Sequence, residues 1–181
     1  MASIDVAVIE RRVRRGYEWS RLRRAVLGFA PALLVVAVAA AFGRRPESAG
    51  VVGAALFALG TLLLWYGRDF RKAVLPGISA GLLPLSLALL APHFGHVCAG
   101  DHCMTLCIPA CATGGVVAGF IVAARLSRAR VGPGPWLAAS ALTLLTGAMG
   151  CTCVGYSGIL GMAVGFGLAL AVAPRKVSAR G

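Results

Sequence analysis

"PWLAASALTLLTGAMGCTCVGYSGILGMAVGFGLALAVAP", Pro135–Pro174, is forty residues without one Asp, Glu, Lys or Arg. A helix rises 1.5 Å per residue, so a single helix through it would be about 60 Å long, roughly twice the hydrocarbon thickness of a bilayer. The segment must turn back on itself. The turn falls at "GCTCVGYSG", Gly150–Gly158, where three glycines and several small polar groups supply the backbone freedom of a tight helical hairpin.

The rest of the chain has the same character. Of 181 residues, 59% are hydrophobic and 13% charged, with a mean hydropathy of +0.83. A soluble domain of this size carries about a quarter charged residues, so the solvent is a bilayer. Charges and prolines cut the chain into six candidate spans, residues 25–42, 49–66, 73–91, 104–124, 135–151 and 154–173. The expected fold is an all-α integral membrane protein, a bundle of about six transmembrane helices with short loops. A basic segment, 1–24, precedes the transmembrane domain, 25–173, and a basic tail, 174–181, follows it.

Charge sets the orientation. With both termini cytoplasmic, sixteen of the eighteen Lys and Arg residues lie inside and only Arg44 and Arg45 outside, as the positive-inside rule requires. The implied location is a bacterial-type inner membrane, crossed several times. The net charge of +12 is then a cytoplasmic fringe that meets anionic headgroups. No direct nucleic-acid contact is expected, because the basic residues are not interleaved with aromatics away from the membrane-flanking positions. Trp19, Trp65, Tyr66 and Trp136 fall at the inner interface, where an aromatic belt belongs.

This topology puts every cysteine and histidine on the external side. "HVCAGDHCMTLCIPAC", His96–Cys111, holds Cys98, Cys103, Cys107, Cys111, His96 and His102; His93 lies just before it, and Cys151 and Cys153 occupy the fifth turn. Cys103, Cys107 and Cys111, spaced i, i+4, are expected to form one stripe. Three chemistries remain open for the group: disulfide stapling, capture of a metal by thiolate and imidazole donors, and sensing of an oxidant or heavy metal by surface thiols. No cofactor is certain; zinc, copper or another soft metal ion is what these donors would accept.

Several function classes lose support. The spans contain no Asp, Glu, Lys or Arg, which disfavours ion-coupled transport. No Ser/His/Asp set, paired carboxylate, phosphate-cradling loop or thioredoxin-type CxxC is present, so no enzyme is expected. Gly77-x-x-x-Gly81, Gly115-x-x-x-Gly119 and Gly161-x-x-x-Gly165 put small residues on helix faces, where they let backbones approach closely within the bundle or in a homo-oligomer. Pro109 either kinks the fourth span or sits harmlessly in its first turn. "IDVAVIERRVRRGYEWSRLRRAV" is basic and amphipathic, an interfacial helix on lipid or a docking helix for a cytoplasmic partner through Arg11, Arg12, Arg14 and Arg15.

The stretch "ACATGGVVAGFIVAARLSRARVGPGPWLAASALTLLTGAMGCTCVGYSGILGMAVGFGLAL" resembles in layout the six-span membrane anti-sigma factors, negative regulators of extracytoplasmic-function sigma factors. The resemblance runs over about Cys103 to Ala173. It implies a cytoplasmic sigma factor or other regulator as partner and a response to heavy metal or oxidant. It carries the family's paired external cysteines onto Cys107 or Cys111 and Cys151 or Cys153. The loop histidines, the extra cysteines and an N-terminal segment without a sigma-binding signature depart from that pattern. A weaker resemblance, to the mercury-transport membrane proteins, implies a metal-binding transport accessory instead. A structural membrane protein with inert disulfides is the third alternative.

Overall fold

The computed structural model describes residues 6–42, 46–91, 96–99, 102–105, 107–129, 132–151 and 156–172. Among them are seven helices: α1 (Val6–Phe29), α2 (Pro31–Phe42), α3 (Pro46–Tyr66), α4 (Arg68–Leu90), α5 (Cys107–Ala129), α6 (Pro133–Cys151) and α7 (Tyr156–Val172). Between α4 and α5 lies an antiparallel hairpin of β1 (His96–Ala99) and β2 (His102–Thr105). The uncharged stretch does turn back, as α6 and α7.

Three helices are long and apolar enough to cross a membrane, over Glu47–Tyr66, Phe70–Leu90 and Ile108–Ala129. A fourth span results if Glu10–Phe29 and Pro31–Ala41 count together. This is consistent with a multi-pass membrane protein, and so is the placement of side chains. Leu34, Leu75, Leu137, Leu160 and Val172 face outward, while the interior is rich in alanine, glycine and threonine. Lipid tails are as apolar as leucine, so large side chains gain nothing by turning inward, and helices associate through small residues that pack closely. Helix α6 is enclosed by its neighbours. Leu142, Thr143 and Thr146–Gly150 are all buried, and α6 packs against α3, α4, α5 and α7.

The first expected span, 25–42, is not one straight helix. α1 continues unbroken through residues 24 and 25, and the axis bends by 44° at Ala30. Pro31 causes the break: it has no N–H to donate, and its ring disfavours helical geometry at the residue before it. The junction is held by shorter bonds, from Ala30 N to Leu27 O (3.3 Å) and from Leu33 N to Ala30 O (2.9 Å). α4, by contrast, runs through both Pro76 and Pro84.

Glycines set the helix pairings. A Cβ at Gly77 would lie 2.9 Å from the Ala139 carbonyl oxygen, and one at Gly81 2.6 Å from Thr146 Cβ and 2.8 Å from the Thr143 carbonyl oxygen. Near the other end of the pair, Gly150 of α6 meets Leu85 and Ala88 of α4. The contacts ascend together, so α4 and α6 run parallel. Likewise Gly115 meets Met162 and Gly119 meets Phe166 and Ala169, which makes α5 and α7 parallel, with Gly165 set against Ala112 and Val116. Thr143 Oγ1 donates across the first seam to the Gly77 carbonyl (3.0 Å) and within its own helix to Ala139 (2.8 Å). The three Gly-x-x-x-Gly faces that a second copy would use are thus filled chiefly from within the chain.

Candidate functional site: the hairpin and the cysteine end of the bundle

The bundle has two chemically different ends. Gly28 approaches Leu64, Gly60 abuts Phe29, and Gly134 approaches Phe70. These contacts gather the end of α1, the end of α3 and the starts of α4 and α6. Arg71 and Lys72 open α4 here, and the arginine-rich part of α1 leads into this end. At the other end are the last turns of α4 and α6, the first turns of α5 and α7, and the hairpin that joins α4 to α5. Five of the six cysteines belong to elements at this second end: Cys98 in β1, Cys103 in β2, Cys107 and Cys111 in the first turns of α5, and Cys151 as the last residue of α6. His93 and Cys153 lie outside the described residues.

Strand pairing sorts the hairpin residues in a way that spacing along the chain did not reveal. The register opposes His96 to Thr105, Val97 to Met104, Cys98 to Cys103 and Ala99 to His102. Directly opposed residues share a face of the ladder, and residues two apart along a strand do too. His96, Cys98, Cys103 and Thr105 therefore occupy one face; Val97, Ala99, His102 and Met104 occupy the other. The sequence signal for this hairpin is the pair Gly100-Asp101 between the strands, a glycine-first dipeptide typical of two-residue connections.

The hairpin corrects two expectations. Helix α5 begins at Cys107 rather than at residue 104, so Cys103 is a strand residue and the i, i+4 stripe reduces to Cys107 and Cys111. Cys111 is moreover fully buried, in a cluster with Ala88, Ala148 and Met162. There it packs with one residue each from α4, α6 and α7. Pro109 sits in the first turn of α5, where a missing N–H costs nothing. The next turn is reinforced by Thr113 Oγ1 donating to the Pro109 carbonyl (2.8 Å).

Among the described side chains, no group of three or more His, Cys, Asp or Glu converges as a metal site, and the buried polar residues are Thr61, Thr143 and Thr146, with no buried charge. On α1, Arg11, Arg12, Arg14 and Arg15 are exposed, and Arg14 Nε pairs with Glu18 Oε1 at 3.3 Å, one turn on. Val13, Tyr17 and Trp19 are exposed on the same helix, at 66%, 63% and 70%, so no part of the bundle covers them. No protein-family model, no curated protein and no solved structure matches the chain.

Proposed function

We propose that this protein is a six-span inner-membrane regulator with both termini in the cytoplasm. It senses a soft metal or an oxidant at an external Cys/His group and signals to a cytoplasmic partner, in the manner of the six-span anti-sigma factors. The observation that carries this reading is the separation of chemistry between the two ends, with cysteine-bearing elements at one and the arginine-rich α1 at the other. In a membrane protein the positive-inside rule makes the arginine end cytoplasmic, and the thiols then face the compartment where oxidants and metals arrive.

Packing suggests how the two ends communicate. The first turns of α5, which follow the hairpin, lie along α7 through Gly115 and Gly165, and the last turns of α6 lie along α4 through Gly150. Metallation or oxidation at the external end would shift these seams, and rigid helices carry the shift to the cytoplasmic face. Among the described residues the buried polar side chains are three threonines, which favours this reading over ion-coupled transport, for which ionisable groups along the path are needed. In that regulator, α1 with its exposed Arg11, Arg12, Arg14 and Arg15 is the output helix.

The test is made in cells carrying the intact chain, a deletion, or a variant with Ser at Cys98, Cys103, Cys151 and Cys153, each challenged with cadmium, zinc or a thiol oxidant while transcripts are followed. A negative regulator predicts constitutive expression of a target set in the deletion and loss of induction in the Ser variant. Identical transcript profiles in all three strains refute it. An altered cell content of the metal, with unchanged transcripts, would support a transport accessory instead.

A further inference from the structure

We propose that the Val13–Tyr17 face of α1 is a docking surface for a cytoplasmic protein whose binding groove has an apolar floor and an acidic wall. This deepens the output role given to α1 above and rests on the cytoplasmic placement of that helix. α1 is one helix from Val6 to Phe29, and Ala25 and Phe29 in its last turns are buried. Residues 10–19 are all exposed. At 1.5 Å per residue they stand about 9–22 Å along the helix from Ala25. A free peptide of that length is only marginally helical in water. Here the buried turns supply the nucleus, so the face is ordered before any partner arrives, which lowers the entropy cost of binding.

Successive residues turn by about 100°, so Val13 and Tyr17, one turn apart, form a stripe. An exposed apolar pair at i and i+4 is the anchor pattern of a helix that seats in a groove. Gly16 and Ser20 lie about 40–80° to one side of the stripe. A Cβ at Gly16 would meet nothing within 4 Å, which leaves room for a groove wall to come close. Ser20 Oγ already donates to the Tyr17 carbonyl (2.8 Å) and needs no outside partner. Arg14 and Arg21 lie about 60–80° to the other side. Residues 10–24 hold seven arginines against Glu10 and Glu18, and the Arg14–Glu18 pair is exposed and contributes little. Carboxylates on the facing wall complement this charge.

Rotation separates the stripe from the lipid. In the last turns of α1 the exposed large side chains are Val26 and Leu27, which mark the lipid-facing side. Trp19 lies about 30° from their midpoint, where an interfacial tryptophan belongs. Val13 and Tyr17 lie about 90° and about 130° from it. A helix that rests on a membrane buries its apolar face in the lipid boundary, whereas α1 turns this stripe away from it.

The test replaces Val13, Tyr17 or Trp19 in turn by the photoreactive p-benzoylphenylalanine in the full chain, in cells that carry it, followed by irradiation and mass spectrometry of the adducts. All three side chains are exposed, so the replacements leave the bundle intact. Positions 13 and 17 should join one and the same soluble protein, through a peptide with clustered Asp and Glu beside apolar residues, and position 19 should join lipid. Tyr17→Ala and the double change Arg14→Glu/Arg21→Glu should each lower the protein adduct at position 13 by at least about 10-fold, the loss expected when a central interface anchor is removed. Lipid adducts at positions 13 and 17 would overturn the proposal and make α1 an interfacial helix. So would a protein adduct that is equal at all three positions, one that survives the charge reversal, or no protein adduct. The expected adducts with unchanged transcripts in the deletion strain would leave the docking face standing and remove the regulatory reading alone. Lipid adducts with a transcript response would do the reverse.

Discussion

Gly81→Ala tests the packing of the α4–α6 seam. The added methyl would sit 2.6 Å from Thr146 Cβ and 2.8 Å from the Thr143 carbonyl oxygen, whereas ordinary contact begins at 3.4 Å. Both neighbours are main chain or attached directly to it, so no flexible side chain can yield, and α4 must move off α6 by about 0.6–0.8 Å. A gap of that size forfeits roughly a quarter to a half of each dispersion contact along the seam. It also stretches the 3.0 Å bond from Thr143 Oγ1 to the Gly77 carbonyl to about 3.6 Å, beyond hydrogen-bonding range. Overpacking of this kind costs about 1–3 kcal/mol, and the lost interhelical bond accounts for about 0.6 kcal/mol of it. The helix-propensity gain of alanine largely cancels, because a detergent-unfolded membrane helix stays helical. The assay is reversible unfolding in mixed micelles titrated with sodium dodecyl sulfate, following Trp136 fluorescence. Gly50→Ala and Gly167→Ala serve as references, since nothing lies within 4 Å of a Cβ at either position. Gly81→Ala as stable as those two would refute the close approach of α4 to α6.

Two further outcomes follow from the buried threonines. Thr143→Val should destabilise by about 0.6–1.7 kcal/mol, the range of interhelical hydrogen bonds in membranes. Combined with Gly81→Ala it should cost less than the sum, because the first change has already broken that bond. Thr61→Val should go the other way. Among the described residues the buried Thr61 hydroxyl has no hydrogen-bond partner, and replacing it with a methyl should stabilise by up to about 1 kcal/mol in the same titration, since an unsatisfied buried polar group is removed. A loss of more than that amount would show that the hydroxyl has a partner.

The sequence by itself determined the features that depend on local or one-dimensional quantities. Length against apolarity places helices at 46–66, 68–90 and 107–129 to within a few residues of the expected spans. The absence of charge over forty residues demands the reversal between α6 and α7. The distribution of Lys and Arg separates one end of the bundle from the other. What the tertiary structure decided are matters of partnership. In lipid, an apolar exterior looks like an apolar interior, so helical periodicity does not tell inside from outside. That is why the burial of Cys111 beside Ala88, Ala148 and Met162 could not be read from its spacing. It is also why Gly77, Gly81, Gly115 and Gly119 could have served a second copy of the chain until their neighbours were known. The hairpin was legible in part, through Gly100-Asp101, but short strands inside a cysteine-rich loop lack the apolar alternation that usually marks them. Only the pairing of Cys98 with Cys103 fixes which residues share a face, because a shift of one residue would exchange every side chain between faces. Cross-strand register is a long-range choice, and it is the choice that separates His96 from His102.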